Sequence, residues 1–371
     1  MNLSIGIVGL PNVGKSTLFN ALLKKQQAFV ANYPFATIEP NIGIVPVPDE
    51  RLNTLKLLIQ ASTPGVEPPI VPATVRFVDI AGLVKGASEG AGLGNKFLAH
   101  IREVSVIAHV VRAFDSSANS GQEADIVKIG TNPKEDYDTI RTELQIADLQ
   151  TLQNLSEKAL KKDAVKKQAV EKLKQTLDSG KNAYELFLSD EEKEAIKELS
   201  LLTDKKELIV LNISENQYSK ENIEALVRKY TGMLGVEREK IVVICAKIEA
   251  ELAALSEKEQ EEYLKGLGFQ KSGLERLIQK AYQELGLISF LTAGEKEVRA
   301  WTIKNGSTAL LAAGEIHTDF MKKFIKAEVV SFEDFVQYNG WKGAREHGKA
   351  RLEGKDYIVN DGDVIEFRIG S

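Results

Sequence analysis

Residues 5–17 read IGIVGLPNVGKST, an apolar run that turns through a glycine-containing loop into the start of a helix. Four residues match the phosphate-loop pattern G-x-x-x-x-G-K-[ST]: Gly9, Gly14, Lys15 and Ser16. The surroundings are those the pattern requires, because a buried-strand pattern precedes the loop and an amphipathic helix pattern follows it. The stretch predicts a site for a nucleoside triphosphate. The alternative is a glycine-rich strand-to-helix turn that binds nothing.

Each position in this loop has a chemical role. Small residues at Gly9 and Gly14 let backbone N–H groups turn inward around a phosphate, and the helix N-terminus adds partial positive charge. Lys15 reaches the β- and γ-phosphate oxygens, and the hydroxyl of Ser16 is a ligand for Mg²⁺. The residues predicted to bind the nucleotide here are Asn12, Val13, Gly14, Lys15, Ser16 and Thr17.

Two later segments supply candidate ligands for the metal and the γ-phosphate. Thr37 lies in an irregular stretch, where many P-loop NTPases have a second Mg²⁺ ligand; by itself it would be an ordinary loop hydroxyl. Asp79 ends an apolar strand three residues before Gly82, an order that predicts a Mg²⁺ contact from Asp79 and a γ-phosphate contact from the Gly82 N–H. Leu83 follows, where many GTPases have a glutamine that orients water. Water must therefore be positioned in another way.

The predicted base-binding segment departs from the guanine pattern N-K-x-D. The chain has Asn212, but Ile213 replaces the lysine and Glu215 replaces the aspartate. The additional methylene of glutamate displaces the acceptor for guanine, so guanine selectivity is expected to be weak. The next strand runs into Cys245 and Ala246, where GTPases place a loop beside the base.

Composition limits the class of protein. The chain of 371 residues is 43% hydrophobic, enough for two or three domains with their own cores. A net charge of −5 argues against a general polyanion binder but allows local basic patches. The single cysteine, Cys245, excludes an internal disulfide and a cysteine-based structural zinc site. No apolar run reaches the roughly 18 residues that span a bilayer, so we expect a cytoplasmic location and no membrane contact.

From about residue 133 the composition changes to that of charged helices. Residues 136–181 lack Gly and Pro until Gly180 and space their apolar residues by threes and fours. This pattern predicts an antiparallel, coiled-coil-like pair of helices that turns near Asp163. The tip and second helix are rich in lysine, which is typical of a solvated face and, as the alternative, of a weak nucleic-acid or ribosome contact. These lysines are Lys158, Lys161, Lys162, Lys166, Lys167, Lys172 and Lys174.

The last segment reads as a separate small domain. Strand patterns around Gly294, a short helix over residues 317–325 and two strands around the turn at residues 360–363 predict a ubiquitin-like β-grasp. A basic segment beside Trp341 predicts either a solvated loop or an RNA contact. Its members are Lys342, Arg345, His347, Lys349 and Arg351.

The order of these patterns predicts the fold. Strands separated by helices, with the chemistry at the strand carboxyl ends, indicate a doubly wound parallel sheet. We therefore expect an α/β P-loop NTPase domain formed by residues 1–132 and 204–286, with an inserted helical hairpin at 133–203 and a β-grasp domain at 287–371. His109, inside an apolar strand, is expected to be a hydrogen-bonded core histidine.

Four stretches together resemble one family. They are GLPNVGKST (9–17), NYPFATIEPN (32–41), DIAGLVKGA (79–87) with GLGNKFL (92–98), and NISE (212–215). They are similar to the YchF-type family, also called Obg-like ATPases, among the translation-factor-related P-loop NTPases. The resemblance covers the whole chain and identifies the C-terminal segment as a TGS domain.

The resemblance implies several properties. ATP is preferred over GTP, Ser16 and Thr37 ligate Mg²⁺, and Asn212 with Ile213 contacts the adenine. Asn12 matches an asparagine that helps hold a catalytic K⁺ in related NTPases, and relatives associate with ribosomes. Some relatives have a histidine proposed to act in hydrolysis where this chain has Lys128. Either Lys128 substitutes electrostatically, or that role does not transfer.

Two classes of function remain open. The first is a nucleotide-hydrolysing switch, with catalysis assigned to Lys15, Asn12, Gly82 and Lys128, a slow intrinsic rate and a ribosomal or RNA partner. The second is a binding module, stabilised by nucleotide, that hardly turns over. A GTP-binding protein is the alternative for nucleotide choice, and a monomer is expected.

Overall fold

The computed structural model describes residues 3–32, 41–80, 93–114, 132–156, 160 and 162–370. Thr37, Gly82, Leu83 and Lys128 lie outside these residues. The chain divides into two compact units. One comprises Met1–Val45 and Arg76–Leu277, and the other comprises Pro46–Val75 and Ile278–Ser371. The segment predicted as the first part of the P-loop domain, residues 1–132, thus contributes residues to both units.

Strands and helices alternate along most of the described chain. The strands are β1 (Ser4–Val8), β2 (Ile42–Pro46), β3 (Ile70–Val71), β4 (Thr74–Asp79), β5 (Val106–Arg112), β6 (Lys206–Asn212), β7 (Ile241–Ile244), β8 (Leu287–Ala293), β9 (Val298–Lys304), β10 (Phe324–Val330), β11 (Arg351–Glu353) and β12 (Val364–Ile369). The helices are α1 (Lys15–Asn32), α2 (Glu50–Ser62), α3 (Leu93–Glu103), α4 (Pro133–Gln153), α5 (Ala164–Asp178), α6 (Asp190–Ile196), α7 (Lys220–Leu234), α8 (Ala246–Leu252), α9 (Glu257–Gly266), α10 (Gly273–Glu284), α11 (Ala309–Ile316), α12 (Thr318–Lys322), α13 (Phe332–Gln337) and α14 (Trp341–Glu346). None of these described helices combines the length and the apolar character needed to cross a membrane.

The sheet of the first unit has the strand order β2-β4-β1-β5-β6-β7. The pairings from β4 through β7 are parallel. Strands β1 and β7 are buried along their whole length, as is typical of parallel strands covered on both faces. Strands β2 and β4 lie on one side of β1, and β5, β6 and β7 lie on the other, which places a topological switch point at the carboxyl end of β1. The predicted doubly wound α/β fold is confirmed.

The inserted helical segment has its own small core. Helix α5 begins directly after Asp163, whose carboxylate accepts a hydrogen bond from the Lys166 N–H at 2.9 Å, so the predicted turn is correctly located. Leu152 of α4 packs with Leu173 of α5 in this core. A third helix, α6, also packs on α5 and contributes Ile196. The prediction of a two-helix hairpin was therefore incomplete.

His109 connects the central sheet to the inserted segment. Its side chain is 1% exposed, and Nδ1 lies 2.8 Å from Glu207 Oε1 of the neighbouring strand β6. The hydroxyl of Tyr137, on α4, donates to the other carboxylate oxygen of Glu207 at 3.2 Å. The rings of His109 and Tyr137 stack at 5.1 Å. The expectation of a hydrogen-bonded core histidine is confirmed.

The second unit is built on a mixed sheet of order β11-β10-β12-β8-β9-β3. Strands β8 and β9 pair antiparallel, whereas β12 and β8 pair in parallel. Strand β3 pairs in parallel with β9, and helix α2 packs on β8 and β9. Leu52 and Leu55 of α2 are fully buried. Residues early in the chain therefore complete the layers around the C-terminal sheet.

Two expectations for the C-terminal segment were wrong. The helix expected over residues 317–325 ends at Lys322, and β10 begins at Phe324. The two strands expected around residues 360–363 do not form a hairpin, because β12 pairs with β10 and β8 instead. The turn is closed by Asp363, whose carboxylate accepts from the Asn360 N–H and the Tyr357 hydroxyl, both at 2.9 Å. Residues 360–363 therefore form a loop that side-chain hydrogen bonds close, rather than the turn of a β-hairpin.

Candidate functional site

The predicted phosphate loop connects β1 to α1 at the switch point of the sheet. Asn12 and Gly14 have positive φ angles of +63° and +98°, which turn the backbone within the loop. A Cβ at Gly9 would lie 2.6 Å from the carbonyl oxygen of Val110, and a Cβ at Gly14 would overlap the amide nitrogen of Asn212. Both glycines are therefore required by close packing, and any side chain here would displace the loop.

Lys15 places its ammonium group inside the loop. The residue is 9% exposed, and Nζ donates to the carbonyl oxygens of Gly9 at 2.8 Å and Leu10 at 2.7 Å. Burial lowers the pKa of Lys15 to about 8, although the charge of Asp79 opposes that shift. The loop thus holds a cation that is partly removed from solvent, where its attraction for phosphate oxygens is stronger than in water.

Asp79 lies beside the phosphate loop. It is the last residue of β4 and pairs with Ile7, two residues before Gly9. Burial raises the pKa of Asp79, and the charge of Lys15 acts against this rise. A carboxylate and a lysine ammonium therefore influence each other at the carboxyl end of the sheet.

The described residues fit Mg²⁺ only in combination with a nucleotide. They contain no group of three or more His, Cys, Asp or Glu side chains that could hold a metal by itself. Mg²⁺ is commonly bound through one or two protein oxygens, waters and substrate phosphates. Asp79 and the exposed hydroxyl-bearing Ser16 at the start of α1 supply such oxygens. Thr37, the third predicted ligand, lies outside the described residues.

Asn212 ties the phosphate loop to the loop after β7. Its side chain is 4% exposed; Nδ2 donates to the carbonyl oxygen of Val13 at 2.8 Å, and Oδ1 accepts from the Ala246 N–H at 3.0 Å. Both polar ends are thus engaged within the protein. The structure brings together three of the predicted nucleotide-binding segments through this one side chain.

The other predicted base-site residues differ in exposure. Ile213 and Cys245 are almost completely buried and belong to one hydrophobic cluster, and burial raises the pKa of the Cys245 thiol. Their side chains are packed inside this core, and the Ile213 N–H donates to the Ile244 carbonyl oxygen at 2.9 Å. Glu215 is half exposed, and one carboxylate oxygen accepts a hydrogen bond from Lys247 Nζ at 2.8 Å.

A buried polar network behind the base-side loops was missed from the sequence. Glu249 on α8 is 1% exposed and accepts a hydrogen bond from the Gly273 N–H, at the start of α10, at 2.7 Å. Arg276 donates to the Tyr218 hydroxyl at 3.3 Å and to the Val243 carbonyl at 3.0 Å. No sequence pattern marked these residues, because a charged residue in a short helix is usually exposed.

In the part of the chain that the structure describes, which excludes Lys158 and Lys161, several side chains of the predicted basic surfaces have acidic partners. In the inserted segment, Lys166 pairs with Glu198 and Lys172 pairs with Glu192. In the C-terminal segment, Arg345 pairs with Glu328 and Glu366, Lys349 with Asp334, and Arg351 with Glu353. Ion pairing of this kind favours the solvated-face interpretation over a contact with nucleic acid.

Known proteins are similar to this chain along its whole length. Residues 4–146 match the family MMR_HSR1, described as 50S ribosome-binding GTPase, and residues 287–370 match YchF-GTPase_C, described as a protein of unknown function. The chain is 47% identical over 375 residues to the Ribosome-binding ATPase YchF of Bacillus subtilis (strain 168) and 46% identical over 376 residues to the protein of that name from Escherichia coli O157:H7, covering 99% of both partners in each case. The solved structure of the Schizosaccharomyces pombe YchF GTPase matches with a TM-score of 0.83 and 35% identity, covering 99% of this chain and 98% of that one. The chain therefore belongs to the YchF family of P-loop NTPases.

Proposed function

We propose that this protein is a Mg²⁺-dependent ATPase that binds ATP in preference to GTP, hydrolyses it slowly to ADP and phosphate, and associates with the ribosome in a nucleotide-dependent way. The observation that carries the proposal is the ammonium group of Lys15, which contacts the loop that runs from Gly9 to Gly14 and lies near Asp79 at the end of β4. Such a loop at a helix N-terminus is suited to polyphosphate binding and to little else.

The residues have separate tasks in this reaction. The backbone N–H groups from Asn12 to Thr17 surround the phosphates, and Lys15 stabilises the charge on the β- and γ-phosphate oxygens. Ser16, Thr37 and Asp79 are the residues that we propose would hold Mg²⁺, which would neutralise phosphate charge when bound. Gly82 is proposed to donate its backbone N–H to the γ-phosphate.

Water activation is proposed to depend on a monovalent cation near Asn12. Leu83 follows Gly82 in the chain and has no polar group, so it cannot orient water as a glutamine does. Asn12 is exposed in the loop, where its amide oxygen is available to a cation such as K⁺. The competing proposal gives the electrostatic role to Lys128. In either case we expect slow intrinsic turnover that a partner increases.

The proposed ATP preference is supported by the base-side segment. Ile213 is buried in the core, in place of the lysine of the guanine motif, and Glu215 is held by Lys247. Guanine would therefore lack its usual pair of acceptor contacts. GTP remains the second candidate, because the related S. pombe protein is named a GTPase and residues 4–146 match a GTPase family.

Ribosome association is proposed from relatives named ribosome-binding ATPases over the whole chain length. The test is sedimentation of purified protein with ribosomes in the presence of ADP, ATP or a non-hydrolysable ATP analogue. We expect the bound fraction to change at least threefold between ADP and the analogue. Equal pelleting in all nucleotide states would contradict a nucleotide-dependent switch and would favour a binding module stabilised by nucleotide.

A further inference from the structure

An ion pair lies at the end of the two strands that border the predicted base site. Glu215 follows β6, and Lys247 lies in the first turn of α8, directly after β7. Their side chains meet at 2.8 Å between Nζ and Oε2 while remaining 67% and 44% exposed for Lys247 and Glu215. This hydrogen bond raises the pKa of Lys247. Among the described residues, the other carboxylate oxygen of Glu215 has no hydrogen-bond partner, so the pair presents one carboxylate oxygen and one ammonium group to solvent.

The backbone segments that carry this pair are connected to the phosphate loop. Asn212 lies three residues before Glu215 and donates to the carbonyl oxygen of Val13 in the phosphate loop. The same side chain accepts from the N–H of Ala246, the residue before Lys247. Both members of the pair thus extend from backbone segments that one buried amide holds against the loop.

We propose that Lys247 is a specificity-determining residue that makes Glu215 accept adenine and disfavour guanine. This inference rests on the proposed nucleotide site, and it assigns a role to a residue outside the nucleotide-binding set predicted from the sequence.

The chemistry of the two bases explains the role. Guanine presents two adjacent donors, N1–H and the N2 amino group, which match the two oxygens of a carboxylate without a partner. Adenine presents the N6 amino donor beside the N1 acceptor. A carboxylate without a partner would therefore place one of its acceptor oxygens opposite the N1 acceptor, which is unfavourable. With Lys247 on one oxygen of Glu215, the pair offers an acceptor beside a donor, and this matches the adenine edge.

Guanine is accommodated less well by the same pair. Its O6 can accept from the ammonium and its N1–H can donate to the free oxygen, but its N2 amino group then has no acceptor. A polar group left unpaired in a binding site reduces affinity. Removing Lys247 should therefore shift the preference of the site towards guanine. The shift should be a few-fold, because exposed ion pairs are weak.

The test is the ratio of the dissociation constants for mant-GTP and mant-ATP, measured with the complete protein and Mg²⁺. Lys247→Met is expected to lower the GTP-to-ATP ratio at least threefold, whereas Lys247→Arg should leave it unchanged within twofold. The matched control is Lys197→Met, since Lys197 pairs with Glu194 at 3.0 Å with a similar exposure of 66%. This control should not alter the ratio.

A rescue variant separates base reading from a structural effect. A glutamine side chain carries its own acceptor and donor, so Glu215→Gln combined with Lys247→Met should restore the ratio towards that of the unmodified protein. Circular dichroism melting checks that all variants remain folded.

The outcomes distinguish this inference from the proposed function. In one outcome, the wild type prefers ATP strongly while the GTP-to-ATP ratio of Lys247→Met stays within twofold of the wild-type ratio. This result would overturn the role of Lys247 and would leave the proposed ATP preference standing. A wild-type ratio near one would contradict both the ATP preference and this inference. If the double variant is folded but its GTP-to-ATP ratio does not return towards the wild-type value, the proposed donor and acceptor pattern of Lys247 and Glu215 is wrong.

Discussion

The nucleotide site depends on close contacts around single residues. Gly14 leaves no space for a Cβ because the amide of Asn212 occupies that space. That amide also donates to the Val13 carbonyl of the phosphate loop and accepts from the Ala246 N–H in the proposed base-side loop. A change at one of these positions therefore affects both the phosphate side and the base side of the site.

Asn212→Ala should weaken nucleotide binding and lower stability. The substitution leaves the Val13 carbonyl and the Ala246 N–H without their partner, and losses of this kind cost about 1–3 kcal/mol each when the groups stay buried. We expect a fall of about 2 kcal/mol in the free energy of unfolding and at least a tenfold weaker affinity for ATP. Chemical denaturation and nucleotide titration measure the two effects. The control Asn222→Ala, at an exposed position of α7, should change neither quantity.

Lys15→Ala and Ser16→Ala should abolish ATP hydrolysis while leaving the protein folded. Lys15 is the cation within the loop, and Ser16 is the proposed Mg²⁺ ligand, but neither belongs to a hydrophobic core. Phosphate release measures the activity, and thermal melting checks the fold. Full activity in either folded variant would show that the site lies elsewhere.

Hydrolysis should be faster in K⁺ than in Na⁺ at equal ionic strength. A site that uses the Asn12 amide must fit the larger ion, and the ion would supply charge stabilisation that Leu83 cannot. Asn12→Ala should remove the difference between the salts and largely preserve nucleotide binding. Equal rates in both salts, together with a slow Lys128→Ala variant, would instead assign the electrostatic role to Lys128.

At the scale of single elements, a buried carboxylate on α4 holds the segment that leads from the inserted helices into the sheet. Asp148 on α4 is 1% exposed and accepts hydrogen bonds from the N–H groups of Leu202 and Thr203 and from the Thr203 hydroxyl, at 2.7 to 2.9 Å. The segment that it holds leads directly into β6, which ends at Asn212. Helix α4 therefore fixes the entry of the strand that carries the base-side residues.

Asp148→Ala should destabilise the protein by about 3 kcal/mol, because it leaves two buried N–H groups and a hydroxyl without acceptors. The matched control is Asp138→Ala on the same helix. The Asp138 carboxylate makes an exposed ion pair with Lys134, so its loss should lower the free energy of unfolding by less than about 1 kcal/mol. Urea unfolding of both variants gives the comparison. Similar losses for the two would contradict the anchoring role of Asp148.

At the scale of the whole molecule, the C-terminal unit requires residues from early in the chain. Arg51 binds the carboxylates of Asp49 and Asp361, each within 2.8 Å, and Gln279 donates to the Pro48 carbonyl at 2.7 Å. These contacts add to the burial of α2 and the pairing of β3 with β9 within that unit.

A truncated chain of residues 278–371 should therefore fail to fold cooperatively. Without α2 and β3, it would expose the apolar face of β8 and β9 that they cover. We expect increased binding of an apolar dye and a broad thermal transition, whereas the complete protein should melt cooperatively. A sharp transition for the truncated chain would show that the early residues are dispensable.

The position of the phosphate loop at the end of β1 could be predicted because each of its sequence patterns involves residues close in sequence. The glycine spacing, Lys15 and the strand ending at Asp79 are of this kind, and the structure places them together. Long-range partners were not predictable, since no pattern links Glu215 to Lys247 or α2 to the C-terminal sheet. The hairpin expected around residues 360–363 failed for the same reason, because β12 finds its partners far away in the chain.

The most direct test of the central claim is equilibrium titration of the purified protein with labelled ATP and GTP in the presence of Mg²⁺. The account predicts that ATP binds at least tenfold more tightly, a difference of about 1.4 kcal/mol, and that Glu215→Asp combined with Ile213→Lys moves the preference towards GTP. Equal affinities for the two nucleotides, tighter binding of GTP than of ATP, or binding of neither nucleotide would contradict it.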